Sequence, residues 1–459
     1  MITEFLLAGA LQYGYVKVNK LIKESKYKEG LKGFYTIANN GDLPFKVIDG
    51  SEEEYGYRLV ISLKGDTYAK LEKCKELLEV EYGAEVELTQ NENYKTATMY
   101  ILKEKLNDND HKYKPVQCKP YEVFISLDNK FKPIIADMNE KPHILDTGAT
   151  GTGKSQELKI MLCNLIHSNQ NNEVEIYFSN ISKTTDFRKF KNCKQVKGYV
   201  DNLDDSLKLF QHILYLFEKR MSIFEKYDCD DIKQFNKKYP DKQMSYVYTV
   251  IDEYAQYFPE GESDPNYKIK VKCKFALKEI ARLCRKAGLL LVICVQRPDT
   301  TVLDPNTRSN LTTKVAFAQE NGASSLTVCD SYELMNIPNR KFLYMSGHIR
   351  QWGRSLYIDD NIIKKVIKPS VVNNRQKQCD FNKFLKKNTD NSVKTDEKVT
   401  KIPKNKAIPS KKKKVVAIND EVASGKVSKI KNVEIINNAD YIIENGKILE
   451  RTQYKVQEV

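Results

Sequence analysis

The chain predicts an α/β fold with a mostly parallel central sheet. Three observations carry this: near-continuous apolar strands, long amphipathic segments between them, and a glycine-rich loop at the first strand-to-helix turn. A strand buried on both faces has no polar side to alternate with, so it reads as an unbroken apolar run. Val174–Phe178, Tyr246–Ile251, Leu289–Val295 and Lys314–Ala318 are runs of this kind, and helical patterns at Asp204–Tyr227 and Lys270–Lys286 lie between them. Alternation of that type places helices over a sheet. This unit is expected over residues 117–370.

The elements ahead of it differ. Residues 1–43 read as an irregular or helical lead segment, and its N-terminal apolar run, Phe5–Leu11, is only seven residues long. That run is too short to span a bilayer and no Lys or Arg precedes it, so neither a membrane helix nor a secretory signal is expected; a buried helix or a weak membrane or partner contact fits. Residues 44–110 predict a small α+β module. Tyr57–Leu63 is a strand, Gly65-Asp66-Thr67 supplies a turn and an N-cap, and a helix follows from Thr67 to about Tyr82. Two further strands lie near Glu85–Leu88 and Ala97–Leu102, and Asn107–Asp110 reads as a linker.

The glycine-rich loop is Gly148-Ala149-Thr150-Gly151-Thr152-Gly153-Lys154-Ser155, entered from His143-Ile144-Leu145. Leu158, Met161, Leu162, Leu165 and Ile166 then recur at helical spacing. Its form is G-x-x-x-x-G-K-[ST]. Glycines let successive backbone N–H groups curl around a phosphate, and the following helix points its positive end at the same charge. Lys154 is then expected on the β- and γ-phosphates and Ser155 on Mg²⁺, which makes ATP with Mg²⁺ the expected cofactor pair. Hydrolysis needs carboxylates as well. The apolar strand Tyr246–Ile251 ends in Asp252-Glu253, 98 residues beyond Lys154. In this Walker B form, Asp252 holds the metal and Glu253 orients and deprotonates the attacking water. Gln296, at the end of Leu289–Val295, has two readings: a sensor beside the γ-phosphate, or one residue of a strand-ending turn.

The formal charge is +14, from 75 Lys+Arg against 61 Asp+Glu. A polyanionic partner and a simply Lys-rich composition explain it equally well. The ten cysteines are scattered with no C-x-x-C pair, so zinc is not expected and a reduced, cytoplasmic compartment fits. Residues 371–459 form a tail. Its 383–414 stretch holds 12 Lys and three acids, a composition expected to be disordered, either as a nucleic-acid tether or as a solubilising linker. Asn445-Gly446 between Tyr441–Ile443 and Ile448-Leu449 suggests a terminal hairpin.

Taken in order, His143–Ser155, Ile251-Asp252-Glu253-Tyr254-Ala255, and Arg285–Leu291 leading into Gln296-Arg297-Pro298 resemble the motor domain of FtsK/SpoIIIE-type DNA translocases. So do Glu218-Lys219-Arg220 with Ile232 and Phe235-Asn236, and the strand Thr313–Phe317. The resemblance spans roughly residues 120–365. It implies a RecA-like P-loop NTPase fold, a homo-hexameric ring, double-stranded DNA in its channel, and Arg285 acting as a finger on the neighbouring subunit's nucleotide. By itself Arg285 reads as a solvated helix residue. Two departures stand out. Ser179-Asn180-Ile181-Ser182-Lys183 replaces the family's Asp-Pro-Lys, and Gly322 and Leu326 stand where basic residues grip DNA. DNA contact then falls to Arg297, Arg308 and Lys314, or to the lysine tail.

The expectation is an ATP-hydrolysing double-stranded DNA translocase or coupling ATPase of a mobile element. A relaxase, a replication initiator or a membrane transfer apparatus would be its partner. The alternatives are an FtsK-like ATPase acting on protein in secretion, and a nucleotide-dependent DNA-binding replication or partition factor.

Overall fold

Alternating burial along Gly56–Ser62 builds the first sheet. In the computed structural model this strand, β2, pairs with an edge strand β1 (Lys46–Glu53). The structure describes residue 34 and residues 45–64, 66–106, 111–299, 302–372, 441–444 and 447–450. Phe5–Leu11 and the 383–414 stretch lie outside the described residues. Two short helices follow, α1 (Tyr68–Lys73) and α2 (Lys75–Tyr82), then β3 (Glu85–Gln90) and β4 (Thr96–Leu102). The sheet is antiparallel in the order β1-β2-β4-β3. Leu59, Ile61, Met99 and Ile101 of the sheet meet Leu71 and Leu78 of the helices in one buried cluster. Each such side chain contributes about 1.5–3 kcal/mol by leaving water.

Three details of this module differ from the sequence expectation. Strand β1 was not anticipated, because its run Asp49–Glu53 is acidic; charge of that kind suits an unpaired sheet edge. The single helix expected from Thr67 is two, broken at Cys74. There the thiol Sγ bonds to Lys70 O (3.3 Å), and the Cys74 N–H turns to Leu71 O instead (3.0 Å). Finally, Thr67 starts α1 without a side-chain cap bond.

Beyond the module come β5 (Glu122–Asp128), β6 (Pro133–Asp137), β7 (Ile144–Thr147) and α3 (Lys154–Ser168). Next are β8 (Val174–Ser179), β9 (Val196–Val200), α4 (Leu203–Lys226), α5 (Ile232–Lys238), β10 (Tyr246–Ile251), α6 (Tyr267–Leu283) and β11 (Leu289–Val295). The remainder is α7 (Pro305–Asn310), β12 (Thr313–Ala316), α8 (Gly322–Cys329), β13 (Lys341–Ser346), β14 (Ile349–Arg354) and α9 (Asp360–Ile367). The chain divides into two compact units, Met1–Gln170 with Cys294–Pro369 and Asn171–Ile293 with Ser370–Val459.

In the first unit the strand order is β6-β5-β14-β13-β12-β7. Only β12 and β7 run parallel, with Thr313 opposite Ile144 and Ala316 opposite Thr147. The antiparallel strands β5, β6, β13 and β14 were not legible as strands. Ile349–Arg354 carries two arginines and a glutamine, so its pattern reads as polar loop. In the second unit the order is β11-β10-β8-β9, parallel throughout. Every residue of β10 and β11 is buried, which is the continuous burial their apolar runs require. β15 (Tyr441–Glu444) and β16 (Lys447–Glu450) pair antiparallel, with Ile443 opposite Ile448. Among the described residues, no helix is long and apolar enough to cross a membrane.

Candidate active site

The first unit holds the glycine-rich loop between the end of β7 and the start of α3. Its walls are backbone. Gly148 N–H reaches Val295 O at the end of β11 (3.3 Å), Ala149 N–H reaches Ala318 O (2.8 Å), and Arg340 N–H reaches Thr152 O (2.7 Å). Inside the loop, Thr152 Oγ1 donates to Ala149 O at 2.7 Å. Side chains at two of the glycines would wreck this arrangement. A Cβ at Gly148 would lie 2.6 Å from Phe317 Cβ, and one at Gly153, where φ is +128°, would lie 3.0 Å from Phe317 Cε1. The curl therefore needs glycine for close approach as much as for backbone angle.

Lys154 Nζ reaches back across the loop, donating to Gly148 O and to Ala149 O (2.9 Å). An ammonium has three N–H donors, so one is left for a phosphate oxygen. Gly153, the N-cap of α3, contributes no side-chain bond to the first turn. Those first-turn N–H groups and the helix dipole suit an anion such as a phosphate group. The Ser155 side chain is exposed beside them. Gln296 Oε1 accepts from Thr150 Oγ1 at 3.2 Å, so the residue after β11 touches the loop tip.

Directly behind the loop lies an acidic pair. Asp146 on β7 and Glu157 on α3 are both fully buried. Burial pushes the Glu157 carboxyl well above its ordinary pKa, and the Asp146 charge pushes the same way.

The second unit positions the two carboxylates. Strand β10 is buried throughout, and the chain emerges at its carboxyl end with Asp252 and Glu253 half-buried. Asp252 Oδ2 accepts from Ser182 Oγ (3.0 Å) and Thr184 Oγ1 (3.2 Å). Ser182 lies in the segment where the family's Asp-Pro-Lys was missing, and Thr184 directly follows it. The segment is folded on itself: Asn180 Nδ2 donates to Thr184 O (2.9 Å) and to Tyr199 OH (2.8 Å). Glu253 N-caps a 3₁₀ turn, Tyr254–Tyr257. That turn is anchored where Tyr257 OH meets Ser179 Oγ (2.6 Å), which in turn meets Ser206 Oγ (2.7 Å).

Arg285 is exposed on a second 3₁₀ turn, Cys284–Ala287, between α6 and β11. Buried Arg220 fixes this turn by donating from Nη1 to Ala287 O (2.7 Å). Gly288 follows at φ +67°, where a Cβ would sit 2.5 Å from Ile232 Cδ1. Arg220 and Ile232, two residues of the family resemblance, thus shape the turn that presents Arg285.

The three residues expected to contact DNA do not stand together. Arg297 is exposed and pairs with Glu320 at 3.4 Å. Arg308 and Lys314 are neighbours elsewhere, both bonded to the carboxyl end of α8: Arg308 Nη1 to Thr327 O (2.6 Å) and Lys314 Nζ to Val328 O (2.8 Å). A helix end leaves its last carbonyls without intrahelical partners, which explains this use of cations. Sequence reasoning missed Ser182, Thr184 and Arg340. The first two were legible only as a hydroxyl-rich loop, and Arg340 carried no motif.

Residues 112–300 match the FtsK/SpoIIIE family. The DNA translocase FtsK of Treponema pallidum (strain Nichols) is 23% identical over 273 residues, covering 52% of this chain and 33% of that protein. The DNA translocase SftA of Bacillus subtilis (strain 168) is 24% identical over 216 residues, covering 46% of this chain and 22% of that protein. The chain spans a third or less of the length of these relatives. Among solved structures, the pCW3 conjugation coupling protein TcpA in its monomer form with ATPγS superposes with a TM-score of 0.51 at 20% identity, covering 75% of this chain and 99% of that one. That likeness is one of fold. Residues 112–300 of this chain are accordingly a domain of the FtsK/SpoIIIE family.

Proposed function

We propose that this chain is an ATP-hydrolysing motor that moves double-stranded DNA, working as a coupling ATPase in the DNA transfer of a mobile element. The observation that carries the reading is the phosphate loop. Gly148 and Gly153 are required by close approach, the loop's lysine is held across it, and it sits within a domain of a family whose relatives include DNA translocases. The coupling role follows the fold likeness to a conjugation coupling protein.

In this reading, Lys154 and the loop amides bind the β- and γ-phosphates, and Ser155 and Asp252 hold Mg²⁺. Ser182 and Thr184 orient the Asp252 carboxylate, and Glu253 takes the proton of the attacking water. Bound Mg²⁺ supplies charge neutralisation on the phosphate oxygens. Gln296 senses the γ-phosphate through the loop tip, and Arg285 reaches the nucleotide of an adjoining subunit in a homo-hexamer.

The test is ATP turnover by the full chain with and without linear duplex DNA. Turnover should rise with DNA. Lys154→Ala should lose nucleotide binding, and Glu253→Gln should bind ATP yet hydrolyse it about 10²–10⁴-fold more slowly. Robust turnover indifferent to DNA of any form would contradict the reading, and normal turnover by Glu253→Gln would remove Glu253 from its role.

A further inference from the structure

Beneath the parallel pair β7 and β12, at the end of the strands opposite the phosphate loop, lies a basic groove. Its volume is about 410 Å³. It is lined by Lys141 ahead of β7, Arg308 of α7, Lys314 of β12, and His348 and Arg350 at the β13–β14 turn. One lining acid, Asp330, opposes them. Hydroxyls stitch its floor: Thr312 Oγ1 donates to Pro142 O (2.7 Å) and Thr313 Oγ1 to Lys141 O (3.0 Å).

The bland account of these cations is that they neutralise the end of α8. Arg308, Lys314 and Arg350 all donate to its last carbonyls, those of Thr327, Val328 and Cys329. The magnitudes do not balance. A helix end carries roughly half a negative charge. Asp330 adds one, and Glu333 adds another through its pair with Arg350. Four full cations face them, which leaves a surplus of about one and a half positive charges. Burial, then the nearby Arg308 charge, holds the Lys314 ammonium below its ordinary pKa. The Arg308 guanidinium has five donors, more than Thr327 O occupies.

We propose that this groove is a binding site for the phosphodiester backbone of DNA, distinct from the nucleotide site and at the opposite end of the strands. The inference rests on the DNA-motor reading, and it replaces the grip that Gly322 and Leu326 cannot supply. Arginine forks match phosphate oxygens in pairs, and the exposed Lys141 and His348 flank the entrance. Arg297, paired with Glu320, is not part of it.

The experiment is fluorescence anisotropy of a labelled duplex with the full chain across a salt series, comparing wild type with Lys141→Glu, His348→Glu and their double variant. Lys141→Glu should weaken binding about tenfold at low salt, and the double variant should flatten the log–log salt slope by about one to two. Affinity for a fluorescent ATP analogue should stay unchanged in all three, showing that the fold and the phosphate loop are intact. Wild-type affinity and slope in the double variant would overturn the groove while leaving the motor reading standing. So would a variant that alters sedimentation without altering DNA affinity, because the groove would then join copies of the chain. A wild-type protein that binds no DNA would sink both.

Discussion

Glu157 shows how far a single residue's chemistry is set by its surroundings. On an exposed helix it would be an ordinary carboxylate; here it is wholly buried behind the phosphate loop beside Asp146. Its pKa is raised by burial, so above the ordinary carboxylate range the unfolded chain releases a proton that the folded chain keeps. Stability contributed at this position is therefore lost as pH rises from that range toward the raised value. Glu157→Gln keeps the shape and removes the titration. Its thermal midpoint should exceed that of wild type near pH ~8, with the gap closing as pH falls toward ~4. Differential scanning calorimetry across that range checks this; a gap constant with pH would mean that Glu157 is ionised in the folded protein.

At the scale of elements, the turn between α6 and β11 links packing to the site. Gly288 has a left-handed backbone and no space for a side chain, and Arg220 holds the carbonyl just before it. Gly288→Val should cost about 2–4 kcal/mol, combining backbone strain with overpacking against Ile232. Chemical denaturation measures this, and a loss below about 0.5 kcal/mol would show that the turn relaxes freely. Elements of this kind also mark what the sequence could and could not disclose. The phosphate loop, the strand ending in Asp252-Glu253 and strand β11 were legible, because their chemistry is encoded in local spacing and unbroken apolar runs. Strands β1 and β14 were not. One is acidic and the other rich in arginine; β1 takes its place beside the adjoining β2, whereas β14 is fixed between β13 and β5, a partner distant in sequence. The same holds for Ser182 and Thr184, whose hydroxyls matter only because β8 and β10 are neighbours. Arg308 and Lys314 were singled out for their charge. Their bonds to the end of α8 depend on a helix whose sequence gives no hint of which cations will meet it.

For the whole molecule, the residues singled out for function fall in two compact units. The phosphate loop, Gln296 and the basic groove belong to one; Asp252, Glu253 and Arg285 belong to the other. The net charge of +14 suits a chain that meets a polyanion, and the groove gives part of that charge a location. The central claim is that triphosphate cleavage drives motion along a duplex. Displacement of a third strand from a labelled triplex tests it most directly, since release requires travel and not binding alone. Wild type should release the third strand only with ATP and Mg²⁺, while Glu253→Gln should release none. Full ATP turnover on the same duplex with the third strand left in place would contradict the account.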